Sequence, residues 1–177
     1  MAAARRTAAF ATAAAAAALA GCSFFGSTRE GQDCPLVLQA PSAETIAIFG
    51  PGGHQAKDVI AGGRIYSLKS TCAREKVGVV VDADIEFYAQ RAALNINSVT
   101  LPYFVAVVDP QQHILTEESF QIALPFPAAE YYRQSSPEHI AVHLPLTDRT
   151  QASAYTVVVG FQLTPDQIAF NRNAHPE

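Results

Sequence analysis

A two-layer, all-β sandwich of about seven to eight strands with one short C-terminal helix is the fold that this sequence predicts. Three observations carry the expectation. From Cys34 onward, apolar and polar residues alternate with a period of two, the side-chain period of a strand. The alternating segments are short, with turn-forming residues between them. A helical pattern appears once, near the C-terminus. The sandwich is expected to be immunoglobulin-like or fibronectin-like, although the chain has no Trp to supply the core tryptophan of true immunoglobulin domains. A small closed β-barrel is the alternative.

Residues 1–21 stand apart from this pattern. Arg5 and Arg6 make a basic head, Ala8 to Ala20 an apolar run, and Leu19-Ala20-Gly21 leads into Cys22. A basic head, a short apolar core and small terminal residues have the form of an export signal. The run is too short to cross a bilayer, which takes about 20 residues. Leu19-Ala20-Gly21-Cys22 resembles the lipobox of bacterial lipoproteins. The resemblance implies that the Cys22 thiol carries a diacylglyceryl group, that the chain is cut before Cys22, and that the new amino terminus receives an acyl chain such as palmitate. Each buried methylene contributes about 0.8 kcal/mol, so two or more chains anchor stably. Ser23, a non-acidic residue after the Cys, points to the periplasmic face of the outer membrane, with the inner membrane as the alternative. Residues 22–33 are small and polar and read as a tether, in which Phe24 and Phe25 are placed to dip into the membrane interface.

Without the signal about 155 residues remain, enough for one domain with a real core. The formal charge of −4 falls to about −6 once Arg5 and Arg6 are removed. An acidic chain lacks the basic face that nucleic acid or an anionic lipid surface would call for. Cys34 and Cys72 form an even pair in an exported chain, which predicts a disulfide. It would close a loop of about 39 residues and stabilise by about 2–4 kcal/mol.

The elements of the expected domain, residues 34–172, follow in order. "CPLVLQA" is a first strand. "RIYSLKSTC" places Tyr66, Leu68 and Cys72 on one face, and a turn through Arg74 and Glu75 sets them opposite the next strand. That strand, "VGVVVDADIEFY", turns Val77, Val79, Val81, Ala83, Ile85 and Phe87 inward and Asp82, Asp84 and Glu86 outward. Leu101 to Val108 is apolar on both faces, as in a central strand, and Asp109-Pro110 starts the turn of a hairpin. "EHIAVHLPL" directs Ile140, Val142, Leu144 and Leu146 in, and His139, Ala141 and His143 out. "SAYTVVVGFQL" sends Tyr155, Val157, Val159, Phe161 and Leu163 to one side. Thr164 with Gln167 three residues later is a capping box, and Pro165 stands at the first helical position, so a helix of about two turns closes the domain. Residues 173–177 are read as a loose tail.

"FGPGG" at 49–53, "PYFVAVVD" at 102–109 and "GFQLTPDQIAFNR" at 160–172 resemble a set of uncharacterised proteobacterial lipoproteins. These share an amino-terminal lipobox and a Cys-Pro soon after it. The resemblance implies one exported, lipid-anchored domain and carries no catalytic residue across.

No motif adds chemistry. Asp82, Asp84 and Glu86 suggest a calcium site, but alternate strand residues are roughly 6.7 Å apart and read instead as a solvated face. His139 and His143 would stand roughly 13 Å apart on one strand, too far to share a zinc ion. The glycine-rich "FGPGGHQAKDVIAGG" lacks the ending of a P-loop and reads as a connection. There is no Gly-x-Ser-x-Gly elbow and no His-Glu-x-x-His. Thus no catalytic residue, metal site or cofactor is assigned. Tyr131, Tyr132 and Arg133, between proline-bounded flanks, are the candidate partner surface, expected on a loop or one helical turn, since Tyr and Arg are enriched at binding hot spots. The expectation is a non-enzymatic envelope module that binds another envelope protein, with a small-ligand or ion-binding domain as the alternative.

Overall fold

The computed structural model describes residues 34–146 and 149–174. The expected signal peptide at 1–21, the expected lipidation site Cys22, the expected tether at 22–33 and the last three residues of the expected tail lie outside the described residues. The strands are β1 (Leu36–Gln39), β2 (Thr45–Phe49), β3 (Val59–Arg74), β4 (Val79–Arg91), β5 (Ser98–Val108), β6 (Ile114–Pro125), β7 (Tyr132–Gln134), β8 (Glu138–Leu144) and β9 (Thr156–Phe161), followed by the helix α1 (Pro165–Ala174).

The two-layer sandwich with a closing helix that the alternation predicts is what forms. One sheet has the order β1-β9-β5-β6, with β1 parallel to β9 and the other pairs antiparallel. The second runs β2-β3-β4, and both β7 and β8 pair with the far side of β4. β8 covers Val79 to Ile85 and β7 covers Tyr88 to Gln90, so together they act as one broken edge strand. The break falls at Ser135-Ser136-Pro137, where the Ser135 N–H donates to the Phe87 carbonyl and the Phe87 N–H donates to Ser135 Oγ. A proline lacks the N–H that would continue the ladder.

β4 carries the core. Val79, Val81, Ala83, Ile85, Phe87 and Ala89 are all buried, and across the gap Leu101, Tyr103, Val157, Val159 and Phe161 face them. The Phe87 ring lies 4.8 Å from Tyr103 and 5.8 Å from Phe161, centre to centre. Burying each such side chain contributes about 1.5–3 kcal/mol. The same burial, with the Glu138 charge adding to it, pushes the Tyr103 phenol up to about 12. The inward row begins two residues later than the alternation predicts. Val77 belongs to the β3–β4 turn and is exposed. The turn closes through a Glu75 N–H bond to the Gly78 carbonyl, with Gly78 at φ 87°. A Cβ on Gly78 would lie 1.8 Å from the Leu144 carbonyl oxygen, so only glycine fits.

β3 departs from simple alternation. Ile65 pairs with Phe87 and Ser67 with Glu86, leaving Tyr66 as an extra residue. Ile65 faces the core and Tyr66 outward, and the β-bulge at Tyr66 then brings Leu68 and Cys72 round to the core, the side expected for them. β3 also starts at Val59, inside the stretch that reads as a glycine-rich connection. Cys72 lies opposite Val81 and is bonded to Cys34, with their Cα atoms 6.0 Å apart. The disulfide ties the lead into β1, in the four-stranded sheet, to β3 in the other.

The capping box closes α1 at its start: Gln167 Oε1 accepts from the Thr164 N–H at 2.8 Å, and Thr164 Oγ1 accepts from the Gln167 N–H at 3.3 Å. The helix lies along the β2 edge. Gln167 Nε2 donates to the Ala47 carbonyl, and Asn171 Nδ2 donates to those of Ser42 and Thr45. Two amide side chains one helical turn apart thus take edge carbonyls that no strand pairs.

Candidate interaction surface on the outer face of the five-stranded sheet

Strand register builds two neighbouring rows across this outer face. One row runs Thr45, Arg64, Tyr88, Gln134, and the next runs Ala47, Gly62, Gln90, Tyr132. The Arg64 guanidinium carbon stands 4.8 Å from the Tyr88 ring centre and 5.7 Å from that of Tyr66, two residues along the same strand and on the same side. Tyr88 in turn stacks on Tyr132, 5.7 Å centre to centre with 29° between the planes. A Tyr66–Arg64–Tyr88–Tyr132 ladder therefore spans three strands. Cation–π contact of this kind contributes about 0.5–1 kcal/mol at an exposed site. Tyr66 and Tyr132 are each 52 % exposed.

Beside the ladder runs a groove of about 400 Å³. Its floor is Ala47 and Gly62, and Phe170 and Asn171 of α1 form one wall. Gly62 has no side chain to fill it. At the end of β4 lies Arg91, 2 % exposed, whose guanidinium donates to the carbonyls of Leu94, Ile96 and Pro127 and stands over the Phe126 ring. It ties the loops after β4 and β6 to the end of the sheet.

The residues expected to form a partner surface are distributed differently than the sequence predicts. Tyr131 lies in a bend of the loop before β7, as expected, whereas Tyr132 and Arg133 belong to the strand β7 and not to a loop or a helical turn. Only Tyr132 joins the ladder. Tyr131 precedes β7 and its carbonyl accepts from the Arg91 N–H. Arg133, next to Tyr132 on an alternating strand, faces the other way. Arg64, Tyr66, Tyr88 and Gly62 were not legible as a site. The one signal was the "GGRIY" junction, where two-residue alternation puts Arg64 and Tyr66 on the same side.

Farther along the same face, His139 stands opposite Asp84, its Nδ1 3.1 Å from Asp84 Oδ1 and its Nε2 3.4 Å from Asp82 Oδ1. The hydrogen bond to Asp84 comes first in raising the His139 pKa, with the Asp84 and Asp82 charges adding to it. His143 pairs separately with Glu75 at 3.2 Å. Gln134 Nε2 donates to Glu86. Among the described residues no three His, Cys, Asp or Glu side chains converge as metal ligands, and no helix is long and apolar enough to cross a membrane.

No protein-family model matches the chain, and no curated protein matches it. Among solved structures, the variable (V) domain of the Streptococcus agalactiae AgI/II polypeptide BspA aligns over 62% of this chain and 78% of its own, at 13% identity and a TM-score of 0.16. That likeness is too slight to carry an argument. The resemblance to lipoproteins rests on the residues quoted for it.

Proposed function

We propose that this protein is a non-enzymatic interaction module, held by lipid on Cys22 at the periplasmic face of the outer membrane, that binds another envelope protein through the outer face of its five-stranded sheet. The observation that carries the reading is the exposed Arg64–tyrosine ladder beside an open groove. Tyr and Arg are the side chains that most often dominate protein interfaces, because they bring large contact area and directed hydrogen bonds together. The lipobox resemblance supports the anchor, and the disulfide joins the chain leaving the tether to both sheets. The groove's volume also falls in the range of small-molecule sites, about 300–1,000 Å³, which supports small-ligand binding as the second reading.

Two measurements test the module. Intact mass of protein purified from membranes is expected to show a chain beginning at Cys22 with a diacylglyceryl group and an acyl chain. A photoreactive residue in place of Tyr132, activated in living cells, is expected to capture one defined envelope protein, while the same group at Gln121 on the opposite sheet captures none. An unlipidated mass would remove the anchor. Equal capture at both positions would remove the binding face.

A further inference from the structure

We infer that the groove beside Arg64 receives a segment of the partner protein that presents one carboxylate next to a bulky apolar side chain. The inference rests on the interaction-module reading and goes beyond it by naming the chemistry of the partner.

Charge is the first argument. The chain is acidic, yet the residues lining this groove include two arginines and no Asp or Glu. Arg91 is committed to three loop carbonyls. Arg64 is exposed, and among the described residues it has ring contacts but no ion pair and no hydrogen bond. Cation–π contact engages the face of a guanidinium and leaves its N–H edge for a planar acceptor. A carboxylate matches that edge with two parallel hydrogen bonds. The apolar requirement comes from Ala47, Val59, Ala61 and Phe170, which line the groove beside the polar side chains of Thr45, Gln90 and Asn171, the last committed to the Ser42 and Thr45 carbonyls.

Three features favour a protein carboxylate over a phosphate, a lipid headgroup or a free small acid. Arg64 is a single available cation, matched to one negative charge. The helix lends the groove its C-terminal half, Phe170 and Asn171, where the helix dipole is negative and a dianion is disfavoured. Asp82, Asp84 and Glu86 occupy the same sheet face and would oppose an anionic membrane, which attracts clusters of basic residues. The exposed rings of Tyr66 and Tyr132 extend the contact beyond the groove, as a protein segment can use and a small acid cannot.

The test is a titration of full-length, ¹⁵N-labelled protein in detergent with the peptide acetyl-Gly-Phe-Glu-Gly-amide. Saturable shifts are expected at the Gly62 and Gly63 amides and at Arg64 Nε. Replacing Glu by Gln in the peptide, or Arg64→Gln in the protein, is expected to weaken binding by about tenfold. Gly62→Ala, whose Cβ would enter the floor and stand 3.2 Å from the Ile46 carbonyl oxygen, is expected to weaken the shifts while the rest of the spectrum keeps its dispersion. Equal binding of the Gln peptide, or no shift at these groups, overturns the inference. So does 3-phenylpropionate binding as tightly as the peptide, which would make a small acid the ligand, or Arg64-dependent binding to phosphatidylglycerol vesicles, which would make it lipid. Capture of a partner at position 132 together with a failed titration overturns the partner's chemistry and leaves the interaction module standing.

Discussion

At the residue scale, the outer face of the five-stranded sheet depends on individual partners that alternation does not reveal. The sequence shows His139 and two aspartates pointing outward on separate strands. It does not show that His139 stands against Asp84 and within reach of Asp82, because that depends on the β4–β8 register. The contact has a pH consequence. A histidine whose folded pKa is raised adds stability that is fully present below its unfolded pKa, ordinarily near 6.5, and that is lost as pH rises through the folded pKa. The His139 ring is therefore expected to titrate above 6.5 by proton NMR, and Asp84→Asn is expected to move its midpoint down. An unchanged midpoint in that variant would assign the shift elsewhere. Tyr66 makes the same point about register. Two-residue periodicity puts Arg64, Tyr66, Leu68 and Cys72 on one face, and the one bulged residue leaves Tyr66 beside Arg64 while it turns Leu68 and Cys72 to the core.

At the element scale, legibility follows how local the determining contacts are. α1 was readable to its first residue, because Thr164, Pro165 and Gln167 cap it through contacts within one turn. The second task of Gln167 was not readable, since the Ala47 carbonyl it satisfies lies 120 residues away. Gln167→Ala removes a capping partner and leaves a buried edge carbonyl without its donor. It is expected to destabilise by about 2 kcal/mol. Thr164→Ala, which touches only the cap, is expected to cost about 1 kcal/mol. Urea denaturation of both variants would measure the difference, and equal losses would mean that the bond from Gln167 to the Ala47 carbonyl adds nothing. β7 escaped notice because three exposed residues after a turn show no period. It becomes a strand only because β4 extends past the end of β8 and offers it an edge.

At the scale of the whole molecule, the disulfide joins two sheets that otherwise meet through side-chain packing. β1 is only four residues long, with Leu36 and Leu38 substantially exposed, and it pairs with β9 alone. Reduction is expected to lower unfolding stability by about 2–4 kcal/mol, read as a fall in the urea midpoint. Hydrogen exchange is expected to quicken first in β1, and a uniform increase over both sheets would show that the bond supports the whole core. The sequence by itself determined the β class, the inward rows of β4, β8 and β9, the helix with its cap, and the pairing of Cys34 with Cys72. Those features follow from periodicity, from local capping and from there being two cysteines in the domain to join. Only the tertiary structure decided that β7 and β8 share one edge, that Tyr66 turns outward, and that Arg64 and three tyrosines form a ladder beside a groove. Each of those depends on register between strands distant in sequence, and a shift of one residue along a strand moves every side chain to the opposite face.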